Sequence, residues 1–372
     1  MNQPLTGLRV VAMEQAVAAP LCSRRLALAG AEVIKIERPE GDFARHYDQA
    51  VAGQSAYFVW LNAGKKSVVL DLREPLDLER ARQLILSADI FVQNLKPGSL
   101  QRLGLSLEEL HAQHPALISV SIAGFHPAGP GAQRKAYDLL MQAESGLADI
   151  TGSAHAPGRV GVSLVDLSTG MFAYEAVLEA LLVKGQTGQG EALDVALFDA
   201  VAEWMAVPYL LQQHTGQAPP RVGLAHPGIC PYGVFSSADE VSFVLSIQNE
   251  REWQQLCQAL DRTDLLEDSR CVDNPTRVAN RAFVDGAFEQ TFSQRDYALI
   301  SAQLSQAELA FAPLNPVAAL AQHPDFDTHQ IRVGDQLVDL PRMPGRTIPE
   351  QLAVPGLGEH TTEILAQLPP LE

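Results

Sequence analysis

A short apolar run, Leu8-Arg9-Val10-Val11-Ala12-Met13, precedes a helical stretch from Ala18 to Ala29. Ala31-Glu32-Val33-Ile34-Lys35-Ile36-Glu37 then alternates like a strand, and Gly30 between them suits a helix stop. Strand, helix and strand in this order form a β-α-β unit, which demands a parallel pair joined by a crossover. The pattern continues with a strand over Ser67–Leu72, a helix over Pro75–Ser87, and strands over Ala88–Gln93 and Ala116–Ile122. Strands alternating with helices predict an α/β fold, an open and doubly wound Rossmann-like parallel sheet.

Helices follow near 137–149 and 167–184, then a turn cluster at Gly185–Gly190, a brief strand at Leu193–Ala196 and a helix from Phe198. The stretch 212–231, rich in Gly, Pro, Gln and His, reads as a linker or crossing loop. From Tyr232 the character changes. A strand is expected over Val241–Ile247, helices over 250–261, 276–290 and 294–304, and a strand over Leu309–Leu314. At 372 residues the chain exceeds the roughly 250–300 that one core supports. The expected division is a large α/β domain over 1–224, a smaller α+β domain over 225–325, and a Pro- and Gly-rich tail over 326–372 returning to the large domain. One last helix is expected near 360–367.

The net charge of −17 and the lack of a basic stripe argue against a nucleic-acid partner. No apolar run reaches the ~20 residues of a membrane span, and the start Met1-Asn2-Gln3-Pro4 lacks a signal-peptide pattern. Cys22, Cys230, Cys257 and Cys271 are far apart, with no C-x-x-C spacing for a metal or redox pair. Reduced thiols in a cytoplasmic protein without a metal are the expectation.

The first β-α turn, Glu14-Gln15-Ala16-Val17-Ala18-Ala19-Pro20, has no G-x-G-x-x-G, which weighs against NAD or FAD. Its small side chains leave room for a ligand or simply pack tightly. Successive strands end near Arg38, Leu72-Arg73 and Asn94-Leu95-Lys96-Pro97-Gly98, with Arg102 one turn further on. Strand ends form the binding edge of such a sheet, so these groups suit a nucleotide-like ligand, although each alone fits a solvated surface. The dibasic pairs Lys65-Lys66 and Arg134-Lys135 are open to the same two readings. His126, in a Gly/Pro-rich loop, reads as exposed or capping rather than catalytic.

Gly161-Val162-Ser163-Leu164-Val165-Asp166-Leu167-Ser168-Thr169-Gly170 places one acid before a long apolar helical run. Asp166 is either an N-cap or a nucleophile whose products meet free N–H groups at a helix start. No G-x-S-x-G elbow or H-E-x-x-H motif supports a serine hydrolase or zinc protease.

Taken in order, Gly30 to Pro39, Leu70-Asp71-Leu72, Asn94 to Gly98, Arg134-Lys135-Ala136-Tyr137-Asp138, and Asp166 with Ser168-Thr169-Gly170 resemble the class III CoA-transferase family. That family includes formyl-CoA transferase and carnitine CoA-transferase. The resemblance runs from about Leu5 to the C-terminus. It implies Asp166 as covalent nucleophile, through aspartyl anhydride and aspartyl-CoA thioester intermediates. It implies CoA held by Arg38, Leu72, Arg73, Asn94, Lys96, Arg102, Lys135 and Tyr137. It also implies an interlaced homodimer, with coenzyme A as co-substrate and no resident cofactor. By fold analogy, the backbone near Gly170 and the loop at Gln248 are candidates for oxyanion stabilisation.

Two departures bear on substrate. Val17 stands where formyl-CoA transferase has Gln, and Ser246 to Trp253 lacks its glycine run, which weighs against formyl-CoA and oxalate. Tyr137 stands where the related α-methylacyl-CoA racemases need a His, which weakens an isomerase reading. A non-catalytic CoA-binding protein remains the third reading. The stretches Glu14 to Pro20, Gly41 to Arg45 and His226 to Gly233 are most similar to members acting on C4–C5 dicarboxylates, such as citramalate and mesaconate CoA-transferases. Arg45 is the candidate cation for the acceptor's far carboxylate.

Overall fold

The computed structural model describes residues 3–345, 348–349 and 352–371. Its centre is a six-stranded, all-parallel sheet. In chain order the elements that build it are β1 (Arg9–Met13), α1 (Ala18–Leu28), β2 (Glu32–Glu37), β3 (Lys66–Val69), α2 (Pro75–Leu86), β4 (Ile90–Gln93), β5 (Ile118–Ala123), α3 (Asp138–Glu144), α4 (Leu164–Thr187) and β6 (Ala192–Ala196). The spatial order β3-β2-β1-β4-β5-β6 reverses direction between β1 and β4. Val10 pairs with Val33 on one side and Ile90 on the other.

Strand alternation sends successive side chains to opposite faces, and both faces are covered. Val10 and Ala12 of β1 join Val120 of β5 under α1 and α4, which contribute Leu26 and Val177. Val11 and Met13 face the other way with Ile36 and Phe91, under Leu84 and Ile85 of α2. Gly30 ends α1 at φ +102°, a conformation that favours glycine.

The chain divides into two compact units. One comprises Met1–Leu147, Val160–Ala206 and Asp327–Glu372, and the other Ala148–Arg159 and Val207–Phe326. Residues 207–224, assigned to the first domain from sequence, group with the second unit. That unit has an antiparallel sheet of β7 (Tyr232–Ser236), β8 (Ser242–Ser246) and β9 (Ala310–Pro313). Phe235 and Phe243 of this sheet pack with Trp253, Phe288 and Phe292 from its helices. The helix expected over 276–290 is two, Asn274–Ala279 and Arg281–Phe292, broken at Asn280.

The tail holds more structure than its composition suggested. Strands β10 (Thr328–Val333) and β11 (Gln336–Pro341) form a hairpin around Gly334-Asp335, and β12 (Ala353–Val354) adds to β10. A two-residue Gly-Asp loop is a hairpin signal that the surrounding prolines and glycines obscured.

One contact fixes how α4 meets α1. A Cβ on Gly170 would lie 2.5 Å from the Ala18 carbonyl oxygen and 2.9 Å from Leu21 Cβ. Alanine normally stabilises a helix interior by about 0.5–1 kcal/mol relative to glycine. Here the sign reverses: Gly170→Ala lowers stability by about 1–3 kcal/mol through overpacking. A melting temperature at or above that of the parent would show that the two backbones do not touch there.

Candidate active site

Of the groups proposed from sequence, Arg38, Leu72, Arg73 and Lys96 line two cavities along the C-terminal edge of the sheet, while Asn94, Arg102, Lys135, Tyr137, Asp166 and Gln248 line neither. A cavity of about 410 Å³ is lined by Gln15 from the first turn, by Arg38 and Gly41 after β2, and by Leu72 and Arg73 after β3. A second, of about 460 Å³, is lined by Lys96 and Ser99 after β4, by Ser121 of β5 and by His126. Leu95 belongs to both. Both volumes fall within the range of small-molecule sites.

Each side chain has its own local partners. Arg38 donates from Nε to the Gly41 carbonyl at 2.9 Å. Arg73 pairs with Asp71 at 2.6 Å and is highly exposed. Its Nε also donates to Asp71, so the pair is bidentate. Arg102 donates to Ser99 Oγ at 2.8 Å. Lys135 is exposed, and Tyr137, also exposed, precedes α3 as its N-cap residue. Asn94 holds the frame: its Oδ1 accepts from Gln15 N at 2.9 Å and its Nδ2 donates to Gln15 O at 2.8 Å. Gln248, in the second unit, donates from Nε2 to Ser246 Oγ, and its backbone N–H donates to Glu252.

Three basic candidates are committed elsewhere. The Arg45 guanidinium is bidentate to Glu37 at 2.7 and 2.8 Å and lies 3.8 Å from the Phe58 ring centre. It is therefore not a free cation for an acceptor carboxylate. Arg134 is bidentate to Glu144, and Lys65 is buried against Glu14 at 2.6 Å.

Asp166 lies in the first turn of α4, partly buried, with no hydrogen bond or ion pair to any described residue. Burial first, and then the charge of Asp138, push its carboxyl from an ordinary 3.8 up to about 7. A helix N-terminus pulls the other way, but by typically 0.3–1 kcal/mol, well under the 1.36 kcal/mol of one pKa unit. Burial dominates. Thus Asp166 does not cap its own helix.

Asp138 supplies that cap from α3. Its Oδ1 accepts from Val165 N at 2.8 Å, and its Oδ2 accepts from Gln142 Nε2 at 2.8 Å. Ser163, the N-cap residue of α4, has its hydroxyl 3.2 Å from Tyr57 OH. Tyr47 stands edge-on to Tyr57, and its phenol is pushed up to about 12 by burial and by the charges of Asp42 and Asp166. Sequence reading missed Asp138 as a cap, because an acid placed 28 residues before Asp166 carries no local signal.

Gly170 lies a turn beyond Asp166, and its packing against Ala18 accounts for the glycine. His126 Nδ1 accepts from Ala128 N at 3.2 Å, a local turn contact. Among the described residues no cluster of ligating side chains could hold a metal, and no helix is long and apolar enough to cross a membrane.

The sequence profile described as CoA-transferase family III matches residues 5–371. A succinate–glutarate CoA-transferase of Agrobacterium fabrum is 32% identical, covering 99% of this chain and 96% of that protein. An acetyl-CoA:oxalate CoA-transferase of Acetobacter aceti is 34% identical, covering 92% of this chain and 88% of that protein. Among solved structures, a CAIB/BAIF family protein from Brucella suis matches with a TM-score of 0.85 at 33% identity, covering 99% of this chain and 100% of that one.

Because the Asp166 carboxyl is raised in the fold, the native state holds its proton more tightly than the unfolded chain. Stability therefore falls as pH rises between about 4 and 7. Asp166→Asn removes that loss, so the stability gap between variant and parent widens across the window. Asp138→Asn keeps a cap acceptor and shifts the window downward. Parallel denaturation profiles for parent and Asp166→Asn would refute the perturbed carboxyl.

Proposed function

The chain belongs to CoA-transferase family III, and from that premise we propose that it moves CoA from an acyl-CoA donor to a C4–C5 dicarboxylic acid with Asp166 as covalent carrier. It is a CoA-transferase; the carrier and the substrate size are our reading. The observation that carries it is the Asp166 carboxylate, partly buried and bonded to no described residue. A desolvated carboxylate without donors keeps its electron density for attack on carbon.

In this reading an Asp166 oxygen attacks the donor thioester carbonyl and expels CoA thiolate, forming a mixed anhydride. The thiolate attacks the aspartyl carbonyl, releases the donor acid and leaves an aspartyl-CoA thioester. The acceptor carboxylate attacks that thioester, forming a second anhydride and thiolate. Attack of the thiolate on the acceptor carbonyl gives the product acyl-CoA and restores Asp166. No proton, ATP or redox partner is consumed.

Arg38, Arg73, Lys96, Arg102 and Lys135 then serve the phosphates of CoA, with Leu72 and Tyr137 as apolar walls and Asn94 fixing the edge. Positive groups there offset the repulsion that a chain of net charge −17 exerts on an anion. The relatives' names span oxalate and glutarate. The C4–C5 choice rests on the likeness of Glu14 to Pro20, Gly41 to Arg45 and His226 to Gly233 to dicarboxylate-acting members. We read the assembly as a homodimer, since helix Ala206–Thr215 leaves Val207, Tyr209, Leu210 and Leu211 exposed.

Incubation with succinyl-CoA should yield an Asp166 adduct that hydroxylamine cleaves, read by mass spectrometry of the peptide. Asp166→Asn should form none and lose activity on the order of 10³-fold or more. Turnover retained in that variant, or α-proton exchange in D₂O without an acceptor acid, would remove the transferase mechanism.

A further inference from the structure

Arg24 lies in the second half of α1 with 5% of its surface exposed. Its Nε is buried without a hydrogen-bond partner, and no carboxylate among the described residues pairs with it. His329 of β10 has both ring nitrogens buried and unbonded; the Leu340 carbonyl stands near without meeting hydrogen-bond geometry.

The fold brings these two groups together. Leu28, at the end of α1, packs in one cluster with Ile331 and Val333 of β10. Arg24 is one helical turn back from Leu28, and His329 is two residues back from Ile331 on the same strand face. Two further guanidinium groups lie nearby. Arg25 stands beside Arg24 and over the Tyr174 ring at 5.8 Å, and Arg342 is held by Asp327 at 2.5 Å. The carbonyls at the end of α1 offer no help, being taken by the N–H groups of Ala29, Gly30 and Ala31. Burial, and then Arg25, draw Arg24 down to about 10. An uncompensated buried guanidinium is among the costlier features a fold can carry. Asp327 is taken by Arg342, and no acid among the described residues pairs with Arg24.

We infer that Arg24 and His329 form a binding site for a small oxyanion, a carboxylate or a phosphate, separate from the CoA-transfer site. The planar guanidinium fork receives two oxygens and the imidazole donates to the anion. Arg24 lies six residues along α1 from Ala18, about 9 Å at the helical rise, so an anion here is remote from Asp166's end of the helix.

The test is thermal unfolding of the full chain in chloride buffer, titrated with inorganic phosphate and with succinate, at two protein concentrations. At fixed protein concentration the parent's melting temperature should climb by a few degrees as either anion rises, following mass action. Arg24→Met should start at or above the parent and stay flat. Arg38→Ala, in the cavity proposed for CoA, should climb like the parent. His329→Gln, which keeps the guanidinium, should weaken the response by roughly tenfold in anion concentration. An equal climb in Arg24→Met, an unchanged response in His329→Gln, or a flat parent would overturn the site. So would a parent whose melting temperature follows protein concentration instead of anion, because the cation would then be met by an acidic side chain of a second copy.

Discussion

Lys35 is a fully buried ammonium in the middle of an apolar strand, and the shape of the binding edge follows from how it is neutralised. Its Nζ lies 2.8 Å from Asp42 and 3.6 Å from Glu14, and Glu14 in turn holds Lys65 at 2.6 Å. Burial works against every one of these charges. For Lys35 the facing carboxylates outweigh it and hold the amine above its usual range. For Glu14 the two lysines do the same in reverse. Removing one member of such a buried group typically costs about 3–5 kcal/mol, because the rest are left uncompensated. The arrangement ties β2, the first β-α turn and the segment after β2 into one block. Asp42 extends it, accepting from Ala16 N at 3.2 Å and from Ala44 N at 2.9 Å. Without that block, Arg38 and Gln15 would have no fixed relation across the cavity.

The nucleophile candidate is positioned by a different and drier device. Gly170 lets α4 approach α1 closely at Ala18, and Asp138 caps α4 from α3. Among the described residues, Asp166 is left with no donor of its own. An acid at this position in an exposed helix would be held down by free amides; here exclusion of water reverses the balance. The site thus rests on an absence of partners around Asp166, and on ample partners for the groups that surround it.

Much of the large unit was legible in the sequence. Short apolar runs with intervening amphipathic stretches gave the strand positions to within a few residues, and Gly30 marked the stop of α1. The β10–β11 hairpin was missed because exposed positions alternate with buried Ile331 and Val333 in a tail whose prolines dominated the reading. Arg45 was misjudged for a related reason. Its partner Glu37 sits in the adjoining strand, and a guanidinium pairing across eight residues looks free in a linear text. The ordered motifs pointed to the binding edge, but not to which members bind and which brace. Asn94 is the clearest example, an amide whose donor and acceptor are both spent on the backbone of Gln15.

That expenditure has a consequence for how the site can diversify. The turn from Glu14 to Val17 takes its form, including Ala16 at φ +65°, from main-chain hydrogen bonds to Asn94 and Asp42. The side chains carried by the turn contribute none of those bonds. New chemistry can therefore be written at position 15 while the scaffold beneath it stays unaltered, much as type is changed in a fixed printing frame.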